Sequence, residues 1–144
     1  MEIEEKGFIF SDDPNKIDVN AIHQYLSTES YWAQGIPIEI VKKSIENSLC
    51  FGIYKDRQQV GFARWITDRA TFGYLADVYV LKPYRGQGLS KKILSFMLFH
   101  PDLQGFRRYV LATHDAHGLY AQYGFKPIET PEYLMAIVAK DSYL

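Results

Sequence analysis

Cysteine is almost missing from this chain. Cys50 stands alone among 144 residues, so no disulfide can close within one copy. A single thiol fits a reducing compartment, and a cytoplasmic location is the expectation. As a residue type it reads as a small buried hydrophobe rather than a reactive group. Charge of one sign is missing too: 16 lysines and arginines face 17 aspartates and glutamates. Without a basic stripe, neither nucleic acid nor an anionic membrane surface is an expected partner. No apolar run is long enough to span a bilayer, and the acidic N-terminus carries no signal-like segment. Repeats, low-complexity tracts and long linkers are also lacking, which points to one domain over residues 1–144. What the chain has in quantity is aromatic residues, with 11 tyrosines and 9 phenylalanines. Such residues bury large areas and favour strands.

Periodicity then sets out the elements. Gly7 to Phe10 reads as a first short strand. Asp18 is placed to cap a helix running to about Ser27, with Val19, Ile22, His23 and Leu26 on one face. Pro37 suits the first turn of a second helix, followed by Ile38, Val41, Ile45 and Leu49 at helical spacing. Leu49–Tyr54 and Gln59–Ile66 make two strands about a polar turn. Thr71–Leu81 is a long strand, apolar on both faces and therefore expected to be central. Leu89–Phe99 is a helix apolar nearly all round. Arg107–Ala112 is a strand and Ala116–Tyr123 a short helix closed by Gly124. Phe125–Ile128 and Tyr133–Val138 read as the last strands. The pattern is mixed α/β, with strands outnumbering helices.

Three places carry chemistry. Arg85-Gly86-Gln87-Gly88-Leu89-Ser90 lies between the long strand and the apolar helix. Two glycines permit a tight turn, and the helix that follows presents free N–H groups and a positive dipole end to an anion. The same residues would also serve an ordinary strand-to-helix turn. Lys91 and Lys92 add charge there or form a solvated face. Asp77 is a carboxylate within the central strand, where burial favours a general base. The other reading pairs it with Arg64 on the neighbouring strand. A hairpin turning near Arg69-Ala70 sets residue 64 opposite residue 75, making Arg64 and Asp77 diagonal neighbours that a one-residue slip would part. The third place is Ala116-His117-Gly118-Leu119-Tyr120, continuing to Gly124-Phe125. Tyr120 either faces a cleft or is a core tyrosine. His114, Asp115 and His117 cluster just before it. The histidines are potential bases, or surface residues beside a helix capped by Asp115. Without cysteines or close acidic ligands the cluster is not expected to hold a metal.

Val78-Tyr79-Val80 followed by Arg85-Gly86-Gln87-Gly88-Leu89-Ser90 resembles the acetyl-coenzyme A signature of the GNAT superfamily of N-acetyltransferases. Ala116, Leu119-Tyr120 and Gly124-Phe125 resemble that superfamily's second block, in matching order and spacing. The resemblance implies a splayed, mostly antiparallel sheet of about seven strands flanked by about four helices. It implies coenzyme A in the V between two parallel strands, with acetyl-CoA as cosubstrate. The backbone from Gly86 to Lys91, with Arg85, would hold the pyrophosphate. Val78, Tyr79 and Val80 would offer main-chain groups to the pantetheine arm. Tyr120 would protonate the leaving thiolate, and Asp77 or a histidine, His117 or His114, would serve as base. Ser90 and Thr113 depart from the usual residues at their positions. Tyr31 and Trp32 fall where the family lines its acceptor site. The implied activity is acetyl transfer to a primary amine of a small molecule, amino acid or peptide. The alternative is a coenzyme A-binding sensor or partner module without transfer. The residues do not fix the oligomeric state, for which a homodimer is the commonest soluble answer.

Overall fold

The computed structural model describes residues 1–140, 142 and 143. Six strands form one sheet in sequence order: β1 (Glu2–Glu5), β2 (Phe8–Ser11), β3 (Leu49–Lys55), β4 (Gln58–Thr67), β5 (Phe72–Val80) and β6 (Arg108–Leu111). All neighbours run antiparallel except β5 and β6, which are parallel. Helices α1 (Val19–Thr28) and α2 (Ile38–Glu46) cover one face. Helix α3 (Leu89–Leu98) covers the other, joined by the short α4 (His117–Ala121). Each face has its own core. Phe10, Phe51, Trp65, Ile93, Leu94 and Met97 fill the α3 side. Ile22, Leu26, Val41, Phe62 and Tyr79 fill the α1–α2 side. No helix among the described residues is long and apolar enough to cross a membrane.

Local signals act as the sequence suggests at the helix ends. The Asp18 carboxylate accepts from the Ala21 N–H and caps α1, satisfying one of the orphan donors there. Gly124 adopts φ +93° just past α4, the left-handed stop that glycine permits.

Three strand expectations need correction. Gly7 is not in a strand; with Lys6 it forms the turn (φ +82° and +52°) between β2 and an added strand β1. The acidic Glu-Ile-Glu-Glu of β1 is exposed throughout, as an edge strand can be without an apolar face. Phe125–Ile128 and Tyr133–Val138 form no ladder among the described residues, so the sheet ends at β6. Pro127 and Pro131 interrupt this stretch, and proline cannot donate to a ladder.

The third correction concerns the register of β5. Arg64 pairs with Ala76, not Leu75, while Phe62 pairs with Tyr79. Asp77 and Val78 therefore both face Ala63, a β-bulge. Asp77 takes φ +55° to make it, an unusual conformation for a residue with a Cβ. The bulge breaks the expected alternation of faces. Gly73 and Leu75 face the α3 core, but beyond Asp77 it is Val78 and Val80 that do so, and Tyr79 turns to α1.

Candidate active site

The parallel ladder joins Phe72–Leu75 to Arg108–Leu111 and stops there. Strand β5 continues to Val80, so from Ala76 onward the edge that faced β6 has no strand beside it. Val78, Tyr79 and Val80, the residues expected to meet a pantetheine arm, all lie on this open edge. An open edge of main-chain groups accepts an extended ligand as it would another strand.

The open edge leads into the α3 N-terminus. Gly86 and Gly88 take φ +80° and +77°, which a Cβ would strain. A Cβ at either would meet no protein atom within 4 Å, so the space above the turn is free for a ligand. No side chain caps α3, leaving its first N–H groups without an intrahelical acceptor. A cleft of about 240 Å³ lies here, lined by Val80, Tyr84, Arg85, Gly86, Gly88, Leu89, Ser90, Lys91 and Leu119. The two sequence blocks, 85–90 and 116–125, thus meet in one cleft. A larger cleft of about 500 Å³ adjoins it across Gly88, Leu89 and Lys91, reaching the β1–β2 turn and Tyr123.

The residues of the turn differ in how they are used. Gln87 donates weakly to the Tyr84 carbonyl at 3.4 Å. Arg85 turns inward: its Nε donates to the Val80 carbonyl at 2.8 Å and a terminal nitrogen donates to the Tyr25 hydroxyl at 3.2 Å. It ties the end of β5 to α1 and to the glycine turn. Lys91 is exposed beside both clefts, while Lys92 pairs with Glu5 at 3.4 Å.

Asp77 is doubly held. Arg64 Nε donates to one carboxylate oxygen at 2.9 Å, and Trp32 Nε1 to the other at 2.8 Å. The ion pair is largely buried, with side-chain exposures of 14% and 11%. Arg64 also donates to the Ser48 hydroxyl at 3.0 Å. The register did slip by one, yet the bulge turns Asp77 back to Arg64 and keeps the pair. Sequence reasoning missed the Trp32 bond and the bulge, since no residue type at position 77 announces a left-handed backbone.

The wall formed by the α1–α2 loop is aromatic. Tyr31 and Trp32 meet edge to face at 4.9 Å, and Tyr31 stacks on His114 at 4.4 Å. This stack links the α1–α2 loop to the β6–α4 loop. Tyr31 and Trp32 remain substantially exposed. His117 is the exposed first residue of α4. The turn into α4 is held by Thr113, whose hydroxyl accepts from the Ala116 N–H at 3.0 Å, rather than by Asp115. Among the described residues no cluster of His, Cys, Asp and Glu is placed to hold a metal.

Tyr120 packs into the α3-side core against Phe125, with ring centroids 5.9 Å apart. Its hydroxyl has no hydrogen-bond partner among the described residues. Burial above all, and then the neighbouring Tyr31 and Asp115, raise its pKa above the ordinary phenol value. Cys50 is buried on the opposite face of the sheet, and burial pushes its thiol up to about 12.

Comparison with known proteins agrees with this geometry. The acetyltransferase (GNAT) domain family matches residues 46–127. A candidate acetyltransferase of Gibberella zeae is 33% identical over 137 residues, covering 80% of this chain and 76% of its own. The crystal structure of a candidate GNAT-family acetyltransferase from Xanthomonas campestris pv. campestris superposes with a TM-score of 0.93. It is 47% identical and covers 97% of this chain and 99% of its own. A Mycobacterium tuberculosis protein, crystallised in complex with CoA and NLQ, shares the fold at a TM-score of 0.66 and 20% identity, over 83% of this chain and 72% of its own. GNAT acetyltransferases take their acetyl group from acetyl-CoA, and the open β5 edge and uncapped α3 turn fit that molecule's extended arm and pyrophosphate. The chain belongs to the GNAT acetyltransferase family.

Proposed function

We propose that the protein moves an acetyl group from acetyl-CoA to a primary amine of a small molecule, an amino acid or a peptide, by direct attack of the amine. The observation that carries this reading is the continuity of the unpaired β5 edge with the uncapped, glycine-lined start of α3. The backbone of Gly86, Gln87, Gly88, Leu89, Ser90 and Lys91 receives the pyrophosphate, where several fixed donors meet a positive dipole end. Val78, Tyr79 and Val80 align the pantetheine arm. Holding the donor this way sets a reactive thioester in line with the amine and removes much of the entropic barrier.

The bulge at Asp77 takes backbone of β5 off the regular ladder, and in this reading a freed N–H polarises the thioester carbonyl. Asp77 takes the amine proton through a water, since a carboxylate can accept more than the two bonds it already has. His117 is the second acceptor, on the α4 side. Tyr120 gives its proton to the departing thiolate; its raised pKa keeps that proton in place at neutral pH. Direct attack is favoured over an acyl-cysteine route because the only thiol, Cys50, is buried away from the cleft and resists ionisation.

The test is thiol release from acetyl-CoA against a panel of amines, for the wild type and Tyr120→Phe. Turnover should fall by about 10²-fold or more, with coenzyme A affinity unchanged. Intact turnover in the variant would remove Tyr120 as the acid. Thiol release that no amine stimulates would leave a coenzyme A-binding module.

A further inference from the structure

The face of the sheet away from α3 is covered unevenly. Helices α1 and α2 pack on Cys50, Phe62 and Tyr79. Beyond them Ala76, Tyr74 and Phe72 alternate along β5, with Ile66 of β4 and Val110 of β6 on either side of Tyr74. Ala76, Tyr74 and Val110 are half-buried, while Ile66 and Phe72 are 45% and 42% exposed. This apolar strip begins at the residue before Asp77. At that end Trp32 donates its hydrogen bond to Asp77, and Tyr31 packs against Trp32.

Charge is distributed just as unevenly. Arg64 lies opposite Ala76, at the Asp77 end of the strip. Its charge is answered by Asp77, it donates a further bond to Ser48, and its side chain is largely buried. Arg108 is exposed opposite Phe72, at the far end. Along a strand, Phe72 and Asp77 are roughly 15 Å apart. An amine brought to Asp77 therefore has an apolar floor and aromatic walls beside it, and the adjacent cation is already paired. A carboxylate on the carbon next to that amine would lie against the Asp77 charge and lose water without gaining a partner of its own, a cost that an apolar group avoids.

We propose that the acceptor is a primary amine carrying a flat apolar group and no carboxylate beside the amine, of the arylalkylamine class. The proposal rests on acetyl transfer with Asp77 on the acceptor side. The ring of the acceptor lies on Ile66, Tyr74 and Val110, where contact with the Tyr74 ring adds to the burial of apolar area. The ammonium arrives between Asp77 and the exposed rings of Tyr31 and Trp32, which attract a cation before it gives up its proton. Ile66, Tyr74 and Val110 thereby set specificity, apart from the residues that hold coenzyme A.

The test compares three amines at saturating acetyl-CoA: phenethylamine, phenylalanine, which adds a carboxylate, and ethanolamine, which lacks the ring. For phenethylamine kcat/KM should exceed that for the other two by at least about tenfold. Equal use of phenylalanine or of ethanolamine overturns the proposal. Ile66→Lys puts a cation on the strip and should lower the phenethylamine-to-phenylalanine ratio by about threefold or more, with KM for acetyl-CoA unchanged; an unchanged ratio overturns it. Binding is read apart from turnover. The chain has two tryptophans, and Trp65 is fully buried. With coenzyme A bound, a saturable change in indole fluorescence on adding phenethylamine therefore reports Trp32. Such a change without thiol release supports the pocket and refutes transfer. No saturable change, even with thiol release, overturns the proposal.

Discussion

From Gly73 to Leu75, strand β5 is paired on both edges; from Ala76 to Val80 it is paired with β4 alone. The first half is packed tightly. A Cβ on Gly73 would lie 2.9 Å from the Trp65 ring and 3.0 Å from that of Phe106. The second half begins with a bulge, a left-handed aspartate and an ion pair, and ends at a glycine turn where added atoms would meet nothing. One half of the strand is spent on cohesion and the other is left unsatisfied for a ligand. In this sheet the proposed binding site lies where the ladder stops.

Substitutions can break this contrast, and the largest expected effect falls at its boundary. Asp77→Ala leaves the largely buried Arg64 without its partner, and about 3–5 kcal/mol of stability should be lost, read from urea denaturation. A loss below about 1 kcal/mol would mean that the pair behaves as a solvated one. Gly73→Ala forces a Cβ against two aromatic rings and should cost about 1–3 kcal/mol of stability, with coenzyme A affinity unchanged in the protein that remains folded. Gly88→Ala should instead reach the ligand. The left-handed backbone costs an L-residue about 1–2 kcal/mol, and calorimetry should show coenzyme A binding weakened by about tenfold while the core is untouched. The smallest effect is expected from Trp32→Phe, which keeps a ring but removes the donor to Asp77. About 1 kcal/mol of stability should go, and KM for the amine should rise while that for acetyl-CoA stays fixed.

The parts of the fold legible in the sequence were those governed by local rules. The Asp18 cap, the apolar α3, the 85–90 turn and the Gly124 stop each depend on residues within one turn of the chain. The candidate cofactor cleft could be located in the sequence because glycine identity and helix onset coincide there. The Arg64–Asp77 pair was also expected, but from a register that the structure does not have. A bulge depends on how two strands twist together, and an aspartate with φ +55° looks like any other aspartate in sequence. β1 was hidden because Glu-Ile-Glu-Glu has no apolar face to signal a strand. The C-terminal run was read as a strand from its apolar residues, but among the described residues it pairs with none, and periodicity does not report whether a neighbour is there.

The bulge has one more consequence. Ala63 faces two residues where a regular ladder would give it one, so Asp77 is supernumerary: without it, Arg64 could stay opposite Ala76 and Phe62 opposite Tyr79. A shorter chain could build the same sheet with every remaining pair in place. The residue that interrupts the strand, grips Arg64 and anchors Trp32 is therefore an addition to a ladder that pairs without it. Deleting it, rather than replacing it, is the change that separates what the architecture needs from what the chemistry asks of it.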